Sequence, residues 1–211
     1  MSRAPKVVTR TGISRLAVGC AVVIATLALI AGSSMATTVA FTTAPTLPTN
    51  LTGITLNGQS QNTLTIWSNA MQITSSGTNT GWNVTVNSTS GAGKSAVFKQ
   101  YCPNTTCGTD SFGYVTGGFT LPADSLTLNT SGASWTTTGT KPTYRCSVSP
   151  FCKIDQTTAT KVVSASTGVA LGTWTGSGST VLSLATPASL RKLQTGEVYR
   201  VNVTWTLSSG P

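Results

Sequence analysis

Histidine is absent from the 211 residues, and carboxylates are few: Asp110, Asp124, Asp155 and Glu197. The first absence removes the commonest general base and the commonest zinc ligand. The second leaves no acidic cluster for calcium, and the four carboxylates stand apart in sequence, unlike the facing pair a glycosidase needs. Amphipathic helical periodicity is nearly missing as well. Serines and lysines are plentiful, yet no pattern marks a Ser–Lys dyad. Ser90-Gly91-Ala92-Gly93-Lys94-Ser95 is similar to the end of a phosphate loop, but the full motif needs glycine where Ser88 stands. These absences predict no catalytic residue, no metal site and no cofactor.

What the chain does have is strand alternation. In its last segment Tyr199, Val201, Val203, Trp205 and Leu207 fall on one side, and Arg200, Asn202, Thr204 and Thr206 on the other. A period of two marks a half-buried β-strand. Trp82, Val84 and Val86 alternate in the same way with Asn83, Thr85 and Asn87. Further short apolar–Thr runs lie at Leu51–Leu56, Leu64–Trp67, Leu126–Leu128, Val169–Trp174 and Val181–Leu184, between Gly, Asn, Ser and Pro turns. Threonine suits the solvent face of a strand. The pattern predicts an all-β fold, an Ig-like β-sandwich of short antiparallel strands. One helical turn is expected at Pro187–Leu193, ahead of the last strand. Gly91 to Lys161 is the irregular part, read as a loop-rich, cysteine-bearing middle.

The N-terminal end has three parts. Residues 1–15 hold Arg3, Lys6, Arg10 and Arg15 with no acid, Leu16–Ile30 are apolar or small, and small residues follow up to Ala36. A basic region, an apolar stretch and a small-residue cleavage site make a secretory signal. Cleavage is expected after Ala36, with Ala40 as second choice; a retained anchor is the alternative, although the apolar run is short of the ~20 residues that span a bilayer. The domain reading is therefore a signal peptide at 1–36, a Thr/Pro-rich extended leader at 37–50, and one β-sandwich domain at 51–211. Without its first 36 residues the chain has about 175 residues and a net charge near +5, from nine cations and four acids. The cations are dispersed, only Arg191 and Lys192 being adjacent, which argues against a nucleic-acid partner. A modest positive excess suits an anionic surface or simply solubility.

Cys20 departs with the signal and leaves Cys102, Cys107, Cys146 and Cys152, an even number in an exported chain, which predicts disulfides. Three pairings are possible; the sequence-local one, Cys102–Cys107 with Cys146–Cys152, is preferred. Gaps of four and five residues in an oxidising compartment disfavour a four-thiolate zinc site. Asn-x-Ser/Thr triplets occur at Asn50, Asn83, Asn87, Asn104, Asn129 and Asn202, and the alternation puts Asn83 and Asn202 on the solvent side. Trp82 and Trp205 sit on apolar strand faces and read as core. Trp135, flanked by Ser134 and Thr136 in a polar run, is the candidate for an exposed contact such as a sugar platform.

Val203-Thr-Trp205-Thr-Leu207 resembles the closing motif of WxL-domain proteins, secreted surface proteins of Gram-positive bacteria. Gly81-Trp82-Asn83-Val84 is similar to that family's upstream Trp-x-Leu, with Val for Leu, and the order from Leu51 to the final strand is family-like. The matching positions are Trp82, Val84, Trp205 and Leu207; the cysteine-bearing middle departs from the pattern. The resemblance implies a secreted, non-catalytic β-domain held non-covalently at the cell wall by peptidoglycan or another anionic wall polymer. The alternative is a structural or adhesive subunit of a surface layer or fibre, built with other surface proteins by strand addition, for which the leader at 37–50 supplies a donor strand.

Overall fold

The computed structural model describes residues 38–68, 70–77, 80–103, 109–137, 140–168 and 171–210. The expected signal peptide, Asn104 and Cys107 lie outside these. The described residues form thirteen strands and no helix: β1 (Thr38–Thr43), β2 (Gln61–Ser68), β3 (Met71–Ser76), β4 (Trp82–Ser88), β5 (Lys99–Tyr101), β6 (Leu126–Asn129), β7 (Ala133–Thr136), β8 (Thr143–Tyr144), β9 (Cys152–Lys153), β10 (Thr160–Ala165), β11 (Gly172–Thr186), β12 (Val198–Arg200) and β13 (Val203–Ser209).

The fold is an all-β sandwich of antiparallel sheets. β11, fifteen residues long, is the spine of the larger sheet. Gly172–Trp174, from the first of two sequence runs, and Val181–Leu184, the second, therefore belong to one strand; Val169 and Ala170 lie outside the described residues. Along one side of β11 lie β3, opposite Gly172–Gly176, and β2, opposite Ser179–Thr186. Along the other lie β7, opposite Thr175–Gly178, and β6, opposite Val181–Leu184. Each flank is thus one interrupted strand, one with its gap opposite Ser177–Gly178 and the other opposite Ser179–Thr180. Glycine is required in this region. Gly178 has φ +87°, and a Cβ there would lie 2.4 Å from the Gly132 carbonyl oxygen; a Cβ on Gly132 would lie 2.6 Å from that of Ser179. β1 and β9 complete this sheet at its two edges.

The smaller sheet has the order β13-β4-β10-β8. Its central strand β4 buries Trp82, Val84, Val86 and Ser88 in strict alternation. The two sheets meet through aromatic rings. Trp82 packs edge-on to Trp174 at 5.3 Å and to Trp135 at 6.3 Å, and Trp67 lies 6.0 Å from Trp205. Ile73, Met71, Leu128, Leu182, Val162 and Val163 fill the space around them.

At one edge the sheets are also joined covalently. β8 ends the smaller sheet and β9 the larger, and the Cys146–Cys152 disulfide closes the segment that crosses between them. This is the sequence-local pairing. Cys102 is disulfide-bonded too.

Four local expectations change. The leader at 37–50 is not merely a lead-in: β1 pairs along its length with β3. Leu51–Leu56 forms no strand; in place of a backbone ladder, Thr52 N–H donates to Thr65 Oγ1 and Thr52 Oγ1 to the Leu64 carbonyl, both at 2.9 Å. The Pro187–Leu193 segment holds no helical turn; Leu190 N–H reaches back three residues to the Pro187 carbonyl at 3.0 Å and closes a simple turn. The final alternating run is split into β12 and β13, since Asn202 turns inward. Its Oδ1 accepts from Ser95 N–H at 3.0 Å and Tyr114 O–H at 2.6 Å, so Asn202 is buried and unsuited to glycosylation.

Candidate binding groove

The residues singled out in sequence fall into the frame of the molecule. β13 pairs with β4 so that Leu207 faces Val84 and Trp205 faces Val86. The two Trp-containing motifs are thereby brought onto neighbouring strands. Trp82, Val84 and Trp205 are buried, and Leu207 is half-buried against the core.

Trp135 is not an exposed contact. It is 4% accessible, stacked on Tyr144 at 5.2 Å and edge-on to Trp82. Its cross-strand neighbour is Gly176, where an added Cβ would lie 3.3 Å from the Trp135 ring. The missing side chain on β11 leaves the space that the indole occupies. All five tryptophans are at most 7% accessible, so none offers a flat sugar platform.

Each carboxylate has a structural job. Asp110 Oδ1 accepts from the backbone N–H of Phe112 and Tyr114. Asp124 pairs with Lys153 at 2.9 Å. Buried Asp155 accepts from Ser125 N–H at 2.8 Å and Leu126 N–H at 2.9 Å, fixing the start of β6. Burial pushes its pKa above the ordinary carboxylate value, while those two donors pull the other way. Glu197 Oε2 accepts from Gln100 Nε2 and Gln194 N–H. The Ser90–Ser95 segment is a tight turn in which Lys94 N–H bonds the Gly91 carbonyl and Ser95 N–H bonds Asn202 Oδ1, so these two amides are not free for a phosphate. Among the described residues no three His, Cys, Asp or Glu side chains cluster as a metal set, and no helix is long and apolar enough to cross a membrane.

The feature the sequence reading missed is a groove of about 1000 Å³ between the irregular 45–56 segment and the 190–203 segment. Its floor is core: Phe98, Leu126, Leu182, Leu184 and Trp205. Its walls carry Leu51, Ile54, Leu190 and Val201. Arg191, Lys192 and Arg200 also line it, with Glu197 as the carboxylate among them. Arg200 lies over the Tyr101 ring at 4.5 Å and Arg191 over Phe119 at 5.8 Å, so aromatic faces hold both guanidiniums in place. The Trp205 indole Nε1–H is buried with no acceptor. The adjacent Arg191-Lys192 pair was the one sequence signal for this site.

No family model, curated protein or solved structure matches this chain.

Proposed function

We propose that this chain is an exported, non-catalytic β-domain of the cell surface, associated non-covalently with an anionic wall polymer such as peptidoglycan. One observation carries the reading. Nine Lys and Arg side chains lie in the described residues, and among these residues the ion pair is Lys153 with Asp124. The other cations are left for an external anion. A disulfide that ties the two sheets suits an oxidising compartment, and the N-terminal basic–apolar–small pattern supports export. The resemblance to WxL-domain proteins points the same way, with Trp82, Val84, Trp205 and Leu207 acting as the frame rather than the contact surface. Fractionation of a Gram-positive host expressing the full chain tests this. The chain should be found in the wall fraction, stay there through concentrated salt and come off with denaturant. Recovery wholly from the medium would refute it.

A second reading, assembly by strand addition, is favoured by β2. On its outer side no strand pairs with β2 among the described residues, and the 51–56 segment covers part of the strand through side-chain bonds of Thr52 and Gln61. The strand Gln61–Ser68 has no charge and no proline, and Leu64 and Ile66 point outward at 59% and 75% accessibility. Edge strands are normally blunted by lysine, proline or a bulge. β1, by contrast, is already paired within its own chain, so the assembling edge in this reading is β2.

A further inference from the structure

The groove combines two properties that wall-polymer binding does not require: depth and an aliphatic floor. A volume of about 1000 Å³ is at the upper end for a small-molecule site. Such a floor, leucine with one phenylalanine and one indole, offers a bound molecule contact and desolvation but very few hydrogen bonds. Sugars and nucleobases need several polar partners converging on the bound ring, which such a floor does not supply. A flexible hydrocarbon chain does not need them.

The groove is not a purely apolar slot. Arg191 and Lys192 are exposed and Arg200 half-buried, and among the described residues none forms an ion pair. Glu197 offsets one of the three charges but forms no ion pair with them, its Oε2 accepting from Gln100 and Gln194. The site therefore carries a net positive charge beside an apolar hollow. Its outer wall is built rather than loose: Thr52 is bonded twice to β2, and Gln61 Nε2 donates to the Thr55 carbonyl at 2.7 Å.

We propose that this groove binds an anionic amphiphile: one acyl chain held between the half-buried walls Leu51, Ile54, Leu190 and Val201, above the floor, with its acidic headgroup against Arg191, Lys192 and Arg200. Guanidinium forks suit a phosphate or carboxylate headgroup through paired N–H donors. The site is distinct from wall association, and either holds without the other.

The test is calorimetric titration of the chain, purified as the host delivers it, with oleoyl lysophosphatidate below its micelle concentration. Saturable binding with one site is expected. Shortening the acyl chain should weaken it about fourfold per CH2 removed. Oleoyl lysophosphatidylcholine, of the same chain but zwitterionic, should bind at least tenfold more weakly. Two variants locate the site. Arg191→Gln with Lys192→Gln changes exposed side chains and should lower affinity for lysophosphatidate about tenfold while leaving the melting temperature unchanged. Ile54→Glu puts a carboxylate on the half-buried groove wall and should also weaken binding. Glycerol 3-phosphate and inorganic phosphate, which lack the chain, should give no heat. The proposal falls if lysophosphatidate does not bind, if affinity ignores chain length, if phosphate alone competes, or if folded variants bind like the parent.

Discussion

Replacing Trp135 by alanine is the sharpest test of the packing described above. The ring is 4% accessible, stacked on Tyr144 and edge-on to Trp82. Truncating a buried aromatic to alanine costs about 3–5 kcal/mol, through lost transfer energy and a residual cavity. The two ring pairs each add about 0.5–1.5 kcal/mol beyond area burial, which places the change at the upper end of that range. Gly176 stands opposite the indole and has no side chain to close the hole. The Nε1–H has no acceptor, so no hydrogen bond is lost to offset this simple accounting. For a domain of this size 1 kcal/mol shifts the melting temperature by about 2–4 °C. A loss of about 4 kcal/mol therefore lowers it by roughly 8–16 °C, read by circular dichroism or calorimetry. Trp135→Phe, which keeps most of the ring and removes an unpaired donor, should cost far less. Trp174→Phe should cost more than Trp135→Phe, because Trp174 Nε1–H donates to the Thr140 carbonyl at 3.3 Å. A melting point for Trp135→Ala within about 3 °C of the parent would refute the reasoning and return the ring to the surface.

The other predictions are smaller. Replacing Cys146 and Cys152 together by alanine opens a loop of six-residue separation and should cost about 2 kcal/mol, seen as a lower urea midpoint. Ile66→Lys should leave the melting temperature within about 1 °C, since the side chain is 75% accessible, and should abolish any concentration-dependent association measured by sedimentation; association that persists would rule out β2 as the assembling edge. Asp155 has a raised pKa in the folded state, chiefly from burial. The folded chain therefore holds this proton more tightly than the unfolded one. The associated stability is fully present below the ordinary aspartate pKa and is lost as pH rises through the raised value. Urea unfolding of the parent and of Asp155→Asn across that window should show this downward component in the parent alone; identical pH slopes would contradict it.

Where burial follows from the pattern of one strand, the fold was legible in the sequence. β4 and β13 alternate cleanly, and Trp82, Val84 and Trp205 fall inside as that alternation requires. The Cys146–Cys152 closure followed from short spacing in a chain read as exported. What was not legible depends on a second strand or on a side chain met across the fold. Trp135 sits in a polar run and is buried because Gly176, on β11, makes room for it. Leu64 and Ile66 look like core in their own segment, yet they face outward because Trp67 and the threonines of β2 take the inner side. Asn202 breaks a perfect alternation because two donors from distant turns, Ser95 and Tyr114, are waiting inside. The groove left little trace in sequence because its floor and its rim come from segments far apart in the chain.

The proposal that this domain holds to an anionic wall polymer is tested most directly by co-sedimentation of the purified chain with Gram-positive wall sacculi across a salt series. The account predicts saturable binding at low salt that weakens as salt screens the unpaired cations, yet persists at high salt. No binding at low salt, or binding abolished completely by salt, would contradict it.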